Sequence, residues 1–385
     1  MTAHNGSVDR RSFLQTAAGV AAASAVAPSV LAQLTGKADR KLDVLVLGGT
    51  GFLGPHFIHA ALSRGHNVTM FTRGRTEPKL YVEQFERVEA LKGDRTSDLT
   101  ALEGDREWDV VIDTSAYFPR VVDMSCRLLR ERVKHYTIIS TMSVYGSRNT
   151  VGMDETTEVD TIDDPTVEQV TGTTYGPLKA LCEEKAEEIM PGRVCRIRPG
   201  LIVGPGDPTD RYTYWPVRAQ RGGTIVAPRT EGAKDYVQYV DVRDLAEWMV
   251  RISEARTTGI FNAVTPGAQR TIESTLLACL RAAQLHGGEP GEIAYVDSAF
   301  LMEKGVQPWA QLPAWVPATI EGYEGFGQAD TARAVAAGLT CRGELDTASA
   351  TLEWWLGMPE ERELRAGLRS EAEREVLQAW RDQDS

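Results

Sequence analysis

The run Leu42-Asp-Val-Leu-Val-Leu-Gly-Gly-Thr-Gly-Phe-Leu-Gly54 leaves this chain few ways to fold. An apolar strand feeds a turn in which Gly48, Gly51 and Gly54 stand three residues apart. That spacing lets the backbone reverse sharply, approach a pyrophosphate and bring the next helix close to its strand. A helix starting near Phe52 and Leu53 would aim unpaired N–H groups and the positive end of its dipole at the phosphates. Pro55 fits its first turn, where the missing N–H has no partner in any case. Ile58, Ala61 and Leu62 then recur at helical spacing, and a second strand-like run follows at 67–72, so the unit reads β-α-β. A dinucleotide site is the first expectation, with Gly48, Gly51, Phe52, Leu53 and Gly54 as its contacts.

The same alternation continues. Strands are expected at 42–47, 67–72, 88–91, 110–113, 136–140 and 194–197, with helices between them, which implies a parallel, doubly wound α/β sheet over residues 41–200. From Gly204 the character changes. A Gly-Pro-Gly-Asp-Pro turn cluster precedes Arg211, Tyr212, Tyr214 and Trp215, which read, with Arg229, as the start of a substrate-facing region. Segment 235–265 is expected to return to the first domain, Asp241 capping a helix over 242–252 and a strand following at 259–264. Residues 201–234 and 266–385 then form the substrate-binding region. Its last helix, 360–381, is strongly charged and reads as a solvated surface helix.

At 385 residues the chain is long enough for a sizeable core. Its net charge of −12 sets it against phosphate backbones, so nucleic acid is not an expected partner. The five cysteines are odd in number and widely spaced, and read as buried small apolar residues rather than a disulfide framework or metal site. His56 and His59 share a helix face without an acid or cysteine at ligand spacing. They read as surface histidines, and no metal is expected.

Residues 1–32 stand apart from the fold. Arg10-Arg11-Ser-Phe13-Leu14 precedes a weakly apolar alanine-rich stretch and ends in Val30-Leu31-Ala32, a pattern that resembles a twin-arginine export signal. The stretch is too short and interrupted for a stable membrane span. The expected partner is the twin-arginine export machinery, and the expected location is the periplasm or beyond.

Tyr175-Gly-Pro-Leu-Lys179 carries chemistry. Four residues put both side chains on one helix face, where an ammonium beside a phenol makes it a usable proton donor or acceptor. Upstream, the strand ending Ile138-Ile-Ser140-Thr141-Met-Ser143 delivers hydroxyls to its C-terminal end, the edge where open α/β sheets bind ligands.

Taken in order, the glycine turn, Ser140-Thr-Met-Ser-Val-Tyr-Gly146, Tyr175-x-x-x-Lys179 and Arg198-Pro-Gly-Leu-Ile-Val-Gly-Pro-Gly206 resemble the extended short-chain dehydrogenase/reductase family, the NAD-dependent epimerase/dehydratases, over roughly residues 42–265. The resemblance implies that Tyr175 is the general acid/base, that Lys179 binds the nicotinamide ribose and tunes Tyr175, and that Thr141 holds a substrate hydroxyl, with Ser143 the alternative for that last role. It implies cofactor contacts from Asp94, at the adenine, and from Thr114, Ser115 and Ala116. Relatives that prefer NAD place an acid after the second strand. Here Thr72-Arg73-Gly-Arg75 stands instead, and arginine suits a 2′-phosphate, so NADP is expected before NAD. Sugar dehydratases of the family follow the threonine with Asp-Glu, which this chain replaces by Met142-Ser143. The expected protein is therefore an exported oxidoreductase or epimerase acting on a hydroxyl or keto group of a sugar-like or polyol substrate, with its cofactor held tightly. The rival is a nucleotide-binding sensor or scaffold without turnover. A homodimer is one option, and the sequence does not name the oligomeric state.

Overall fold

From Val44 onward the strand Asp43–Leu47 is apolar because both of its faces are covered. In the computed structural model, which describes residues 36–383, Val44 and Val46 enter one core while Leu45 and Leu47 enter another on the opposite side of the sheet. The strands are β1 (Asp43–Leu47), β2 (Asn67–Thr72), β3 (Glu89–Lys92), β4 (Trp108–Asp113), β5 (Val133–Ile139), β6 (Val194–Pro199), β7 (Leu201–Val203), β8 (Gly223–Arg229), β9 (Tyr239–Asp241), β10 (Gly259–Ala263) and β11 (Gly291–Asp297). Seven of them form one parallel sheet in the order β10-β6-β5-β4-β1-β2-β3. This is the doubly wound, Rossmann-type architecture that the sequence predicts.

Helices Leu53–Ser63 and Val242–Ala255 cover one face, and Pro119–Leu129 and Tyr175–Ile189 the other. The strand order reverses between β1 and β4, where Leu47 is level with Phe71 on one side and Asp113 on the other. A crevice opens above that point. Asp241 caps its helix as expected, accepting from the Arg243 N–H at 2.9 Å. Its strand β9, however, pairs with β7 in a small separate sheet before the chain returns to the main one through β10.

A third core lies beyond the C-terminal edge, where Trp215, Trp315, Tyr212 and Tyr214 pack among helices 214–220, 272–285, 344–356 and 370–381. A parallel pair, β8 with β11, runs along it, which the sequence reading missed. Pro228 in one strand and the short, half-exposed face of the other hide the period-2 signal. The final helix is Ser370–Arg381, ten residues shorter at its start than expected. Asp210 holds the preceding segment out of helical form by accepting from Arg362 at 2.6 Å and from the Arg365 N–H at 3.2 Å. Nor is this helix merely solvated: Val376 and Leu377 enter the core, and buried Glu373 pairs with Arg218 at 2.7 Å. Among the described residues, no helix is long and apolar enough to cross a membrane. The proposed leader, residues 1–32, lies outside them.

Candidate active site

Gly48 sits at φ +104°, and a Cβ there would lie 2.5 Å from the Thr114 hydroxyl. At Gly54 a Cβ would meet the Gly49 carbonyl at 2.4 Å, so the helix can start against the turn only with glycine in that place. Around Gly51 the space is open, with no atom within 4 Å of a built Cβ. Phe52 occupies the N-cap without a side-chain hydrogen bond, and the backbone N–H groups of the first turn keep their donors for a ligand. Leu53 is buried and anchors that turn to the core.

The crevice here is about 440 Å³, and its lining includes Gly48, Arg73, Arg75, Asp94, Ser115 and Tyr117. Thr114 and Ser115 donate to the Leu47 carbonyl at 3.0 and 3.3 Å, tying β4 to the glycine turn. Asp94 accepts from the Thr96 N–H at 3.0 Å and its hydroxyl at 2.7 Å; these bonds hold its carboxyl below the usual range, and Arg73 and Arg75 act in the same sense. Both arginines are exposed at the end of β2. An open glycine turn at a helix N-terminus, an acid and two arginines fit a dinucleotide with its pyrophosphate at Gly51. Beneath them lies a network the sequence reading missed. Arg95 grips Asp113 at 2.5 and 2.7 Å, reaches Ser115 at 3.1 Å and Ser125 at 2.9 Å, while Tyr136 donates to Asp113 at 2.7 Å. A charge ending the otherwise apolar run Val110–Asp113 was the signal that a buried partner must exist.

Thr141 follows β5 and caps a short turn, its hydroxyl accepting from the Ser143 N–H at 3.0 Å. The same hydroxyl lies near the Tyr175 phenol and acts to lower its pKa. Tyr175 opens its helix, and Lys179 lies one turn on, buried. The ammonium does not do what spacing implied. It donates to the carbonyls of Ala116, at 2.7 Å, and of Ile139, tying the ends of β4 and β5 together. The Tyr117 ring covers it at 5.2 Å from the centroid. Burial lowers its pKa. For Tyr175, burial pushes the phenol above its ordinary value, opposed by the Thr141 hydroxyl and by Arg211, with Tyr117 adding to the rise. Buried carbonyls claim the ammonium because they have no other donor at the strand ends.

Thr141, Ser143 and Tyr175 face a second cavity, of about 660 Å³, with Arg148, Arg211, Trp309 and Phe326 in its wall. Tyr212 does not reach it. That ring is fully buried in the third core, 5.0 Å from Tyr239, and Tyr214 and Trp215 are buried alongside. Arg211 turns outward to the cavity while its neighbour turns inward, so only one of the pair stands where the sequence reading put it. Arg229 lies elsewhere, exposed over the Tyr295 ring and 3.6 Å from Glu273. Arg148, Trp309 and Phe326 had no local signal, because they come from loops remote from the motifs.

His56 is not a surface residue. It is buried between the Pro205 carbonyl, 2.8 Å away, and the Tyr81 hydroxyl, 3.0 Å away, and burial pushes its pKa down to about 4. Four of the five cysteines are buried and Cys341 is half-buried. Among the described residues no cluster of His, Cys, Asp and Glu could hold a metal ion.

A family model for the NAD dependent epimerase/dehydratase family matches residues 44–263, more than half of the chain. The chain belongs to that family. No curated protein sequence matches it. Among solved structures it is similar to the Bordetella bronchiseptica enzyme WbmH in complex with NAD+, with 16% identity, a TM-score of 0.59, and 83% of this chain and 99% of that one covered. It is likewise similar to UDP-glucuronic acid 4-epimerase from Bacillus cereus in complex with NAD, at 15% identity and a TM-score of 0.58, over 84% and 99% of the two chains. UDP-glucose 4-epimerase from Bifidobacterium longum, in complex with NAD+ and UDP, gives 17%, 0.58, 83% and 100%. At these identities the chain shares a fold with them, and its chemistry rests on its own residues.

Proposed function

We propose that this member of the family is an exported, nicotinamide-dinucleotide-dependent oxidoreductase or epimerase, acting on a hydroxyl or keto group of a sugar-like or polyol substrate. The observation that carries the reading is Thr141 and Tyr175 together in the wall of one cavity, with the glycine-turn crevice beside it. Gly48, Gly51 and Gly54 would hold the pyrophosphate, Asp94 the adenosine end, and the backbone of residues 114–116 the inner wall. When bound, a nicotinamide supplies the redox chemistry that no side chain here possesses.

Tyr175 moves the proton. Its phenol, kept protonated by burial, can give a hydrogen to a substrate keto oxygen, and Thr141, in the same cavity wall, can present its own hydroxyl to that oxygen. Lys179 fixes the strand ends under the reacting centre, with one of its three ammonium donors left for a ligand. The exposed Arg73 and Arg75 favour a 2′-phosphate, hence NADP over NAD, although the solved structures named above are complexes of NAD. The twin-arginine pattern at 10–11 supports export with the cofactor already bound. Arg10→Lys combined with Arg11→Lys then retains the protein in the cytoplasm, and an unchanged location refutes export.

The decisive experiment is Tyr175→Phe. Turnover of a keto substrate is expected to fall roughly 10²- to 10⁴-fold with dinucleotide binding unchanged. Because the phenol's pKa is raised, reductive activity in the unaltered protein is present below that pKa and lost as pH rises through it, above about 10. Full turnover in the variant would sink the proposal.

A further inference from the structure

The larger cavity has a charge pattern opposite to that of the whole chain. The protein carries 54 acidic against 42 basic residues, yet the cavity wall contains Arg148 and Arg211 and no aspartate or glutamate. Burial lowers the pKa of both guanidiniums, and neither makes a salt bridge among the described residues. Arg148 gives one N–H to the Met142 carbonyl at 2.7 Å, and Arg211 gives its Nε–H to the Thr209 hydroxyl at 3.1 Å. Each guanidinium has five N–H donors, so most of each fork has no protein acceptor. Asp207 is the carboxylate that acts on Arg211. Its Oδ1 is taken by Thr209, through the N–H at 2.8 Å and the hydroxyl at 2.7 Å. Trp309 lies under the Arg211 guanidinium at 5.5 Å and offers a π-face rather than an anion.

Two half-buried guanidiniums outside any salt bridge, with most of their N–H donors free of protein acceptors, make this wall a place for an anion. Their position matters as much as their number. Arg211 acts electrostatically on Tyr175, and Arg148 holds the carbonyl of Met142, the residue between Thr141 and Ser143. The positive charge is therefore at the reacting end of the cavity. We infer that the substrate carries a carboxylate or phosphoryl group beside its reacting carbinol or keto carbon, held by Arg148 and Arg211: a sugar acid or polyol phosphate rather than a neutral sugar. This inference rests on the oxidoreductase reading for the identity of the reacting group, and on the cavity alone for the anion.

Calorimetry on the purified protein, with glucuronate, glucose 6-phosphate, glucose and UDP-glucose as probes, tests it. At least one of the first two is expected to bind tenfold or more tighter than glucose, and the tighter of them identifies carboxylate or phosphoryl as the recognised group. Arg211→Gln and Arg148→Gln should each weaken that binding roughly 10- to 100-fold, as loss of a charged hydrogen-bond partner does. Arg211→Lys should recover most of the loss, which a misfolded cavity would not allow. Equal binding of glucose, no binding of either anion, or anion binding indifferent to Arg211→Gln each overturns the inference. So does UDP-glucose binding tighter than both small anions, since its charge lies away from its C4 hydroxyl. Anion binding with neither net reduction, oxidation nor epimerisation of any probe, followed by NMR of the sugar, would instead defeat the oxidoreductase or epimerase reading and leave the anion site standing.

Discussion

Arg73 and Arg75 stand in water at the rim of the glycine-turn crevice, whereas Arg148 and Arg211 are drawn into the wall of the larger cavity. The crevice is assembled from segments close in sequence, the ends of β1 to β4, and its charges are screened and replaceable. The cavity is assembled from loops spread between residues 141 and 329, and its charges are half-buried. A protein with two ligand sites can thus use two kinds of arginine: exposed cations that select by charge and are readily screened, and half-buried cations in a cavity wall that are screened less.

The sharpest way to break this contrast lies under the cavity. Arg198 forks onto Glu183 at 2.6 to 3.1 Å and reaches the Tyr145 hydroxyl at 2.9 Å, which in turn donates to Asn262 at 2.8 Å. Both charged side chains are buried, at 5% and 3% exposure. Arg198→Leu strands the carboxylate and should lower unfolding free energy by about 3–5 kcal/mol in urea denaturation. A loss below about 1 kcal/mol would put it in the class of exposed pairs such as Arg106–Glu89 and erase the distinction between floor and surface.

A smaller effect is expected at the crevice rim. Arg73→Ala should weaken NADP binding roughly tenfold, by removing a charge-assisted contact, and leave NAD binding nearly unchanged. Equal affinity for NAD and NADP in the unaltered protein, measured by fluorescence titration, would overturn the role given to these arginines. The smallest effect is ionic. Raising salt from about 0.1 to 1 M shortens the screening length from about 10 to about 3 Å and should weaken NADP binding a few-fold, with less effect on ligands of the buried arginines. Equal salt dependence at both places would show that the cavity arginines are more solvated than their burial implies.

Much of the site was readable because its motifs are local. Gly48 and Gly54 are needed by contacts within ten residues or with the adjoining strand end, and Tyr175 and Thr141 meet because one opens a helix and the other ends a strand at the same sheet edge. Lys179 was placed correctly on its helix, but the carbonyls it bonds come from β4 and β5, far away in sequence. Tyr212 was misplaced for a related reason: adjacent residues in an irregular segment face different ways, and no period tells which.

By itself the sequence determined the order of strands and helices in the main sheet, the glycine turn and the hydroxyl and phenol groups at the sheet edge, since these follow from backbone sterics and period-2 or period-3.6 burial. It also determined family membership, through the motifs' order. Only the tertiary structure decided which cations act on the phenol, that His56 is buried, and that an acidic protein has a cavity whose wall holds two half-buried arginines and no carboxylate. Those facts depend on which distant loops meet and how much water they exclude, and desolvation is a property of the packed molecule, not of any stretch of chain.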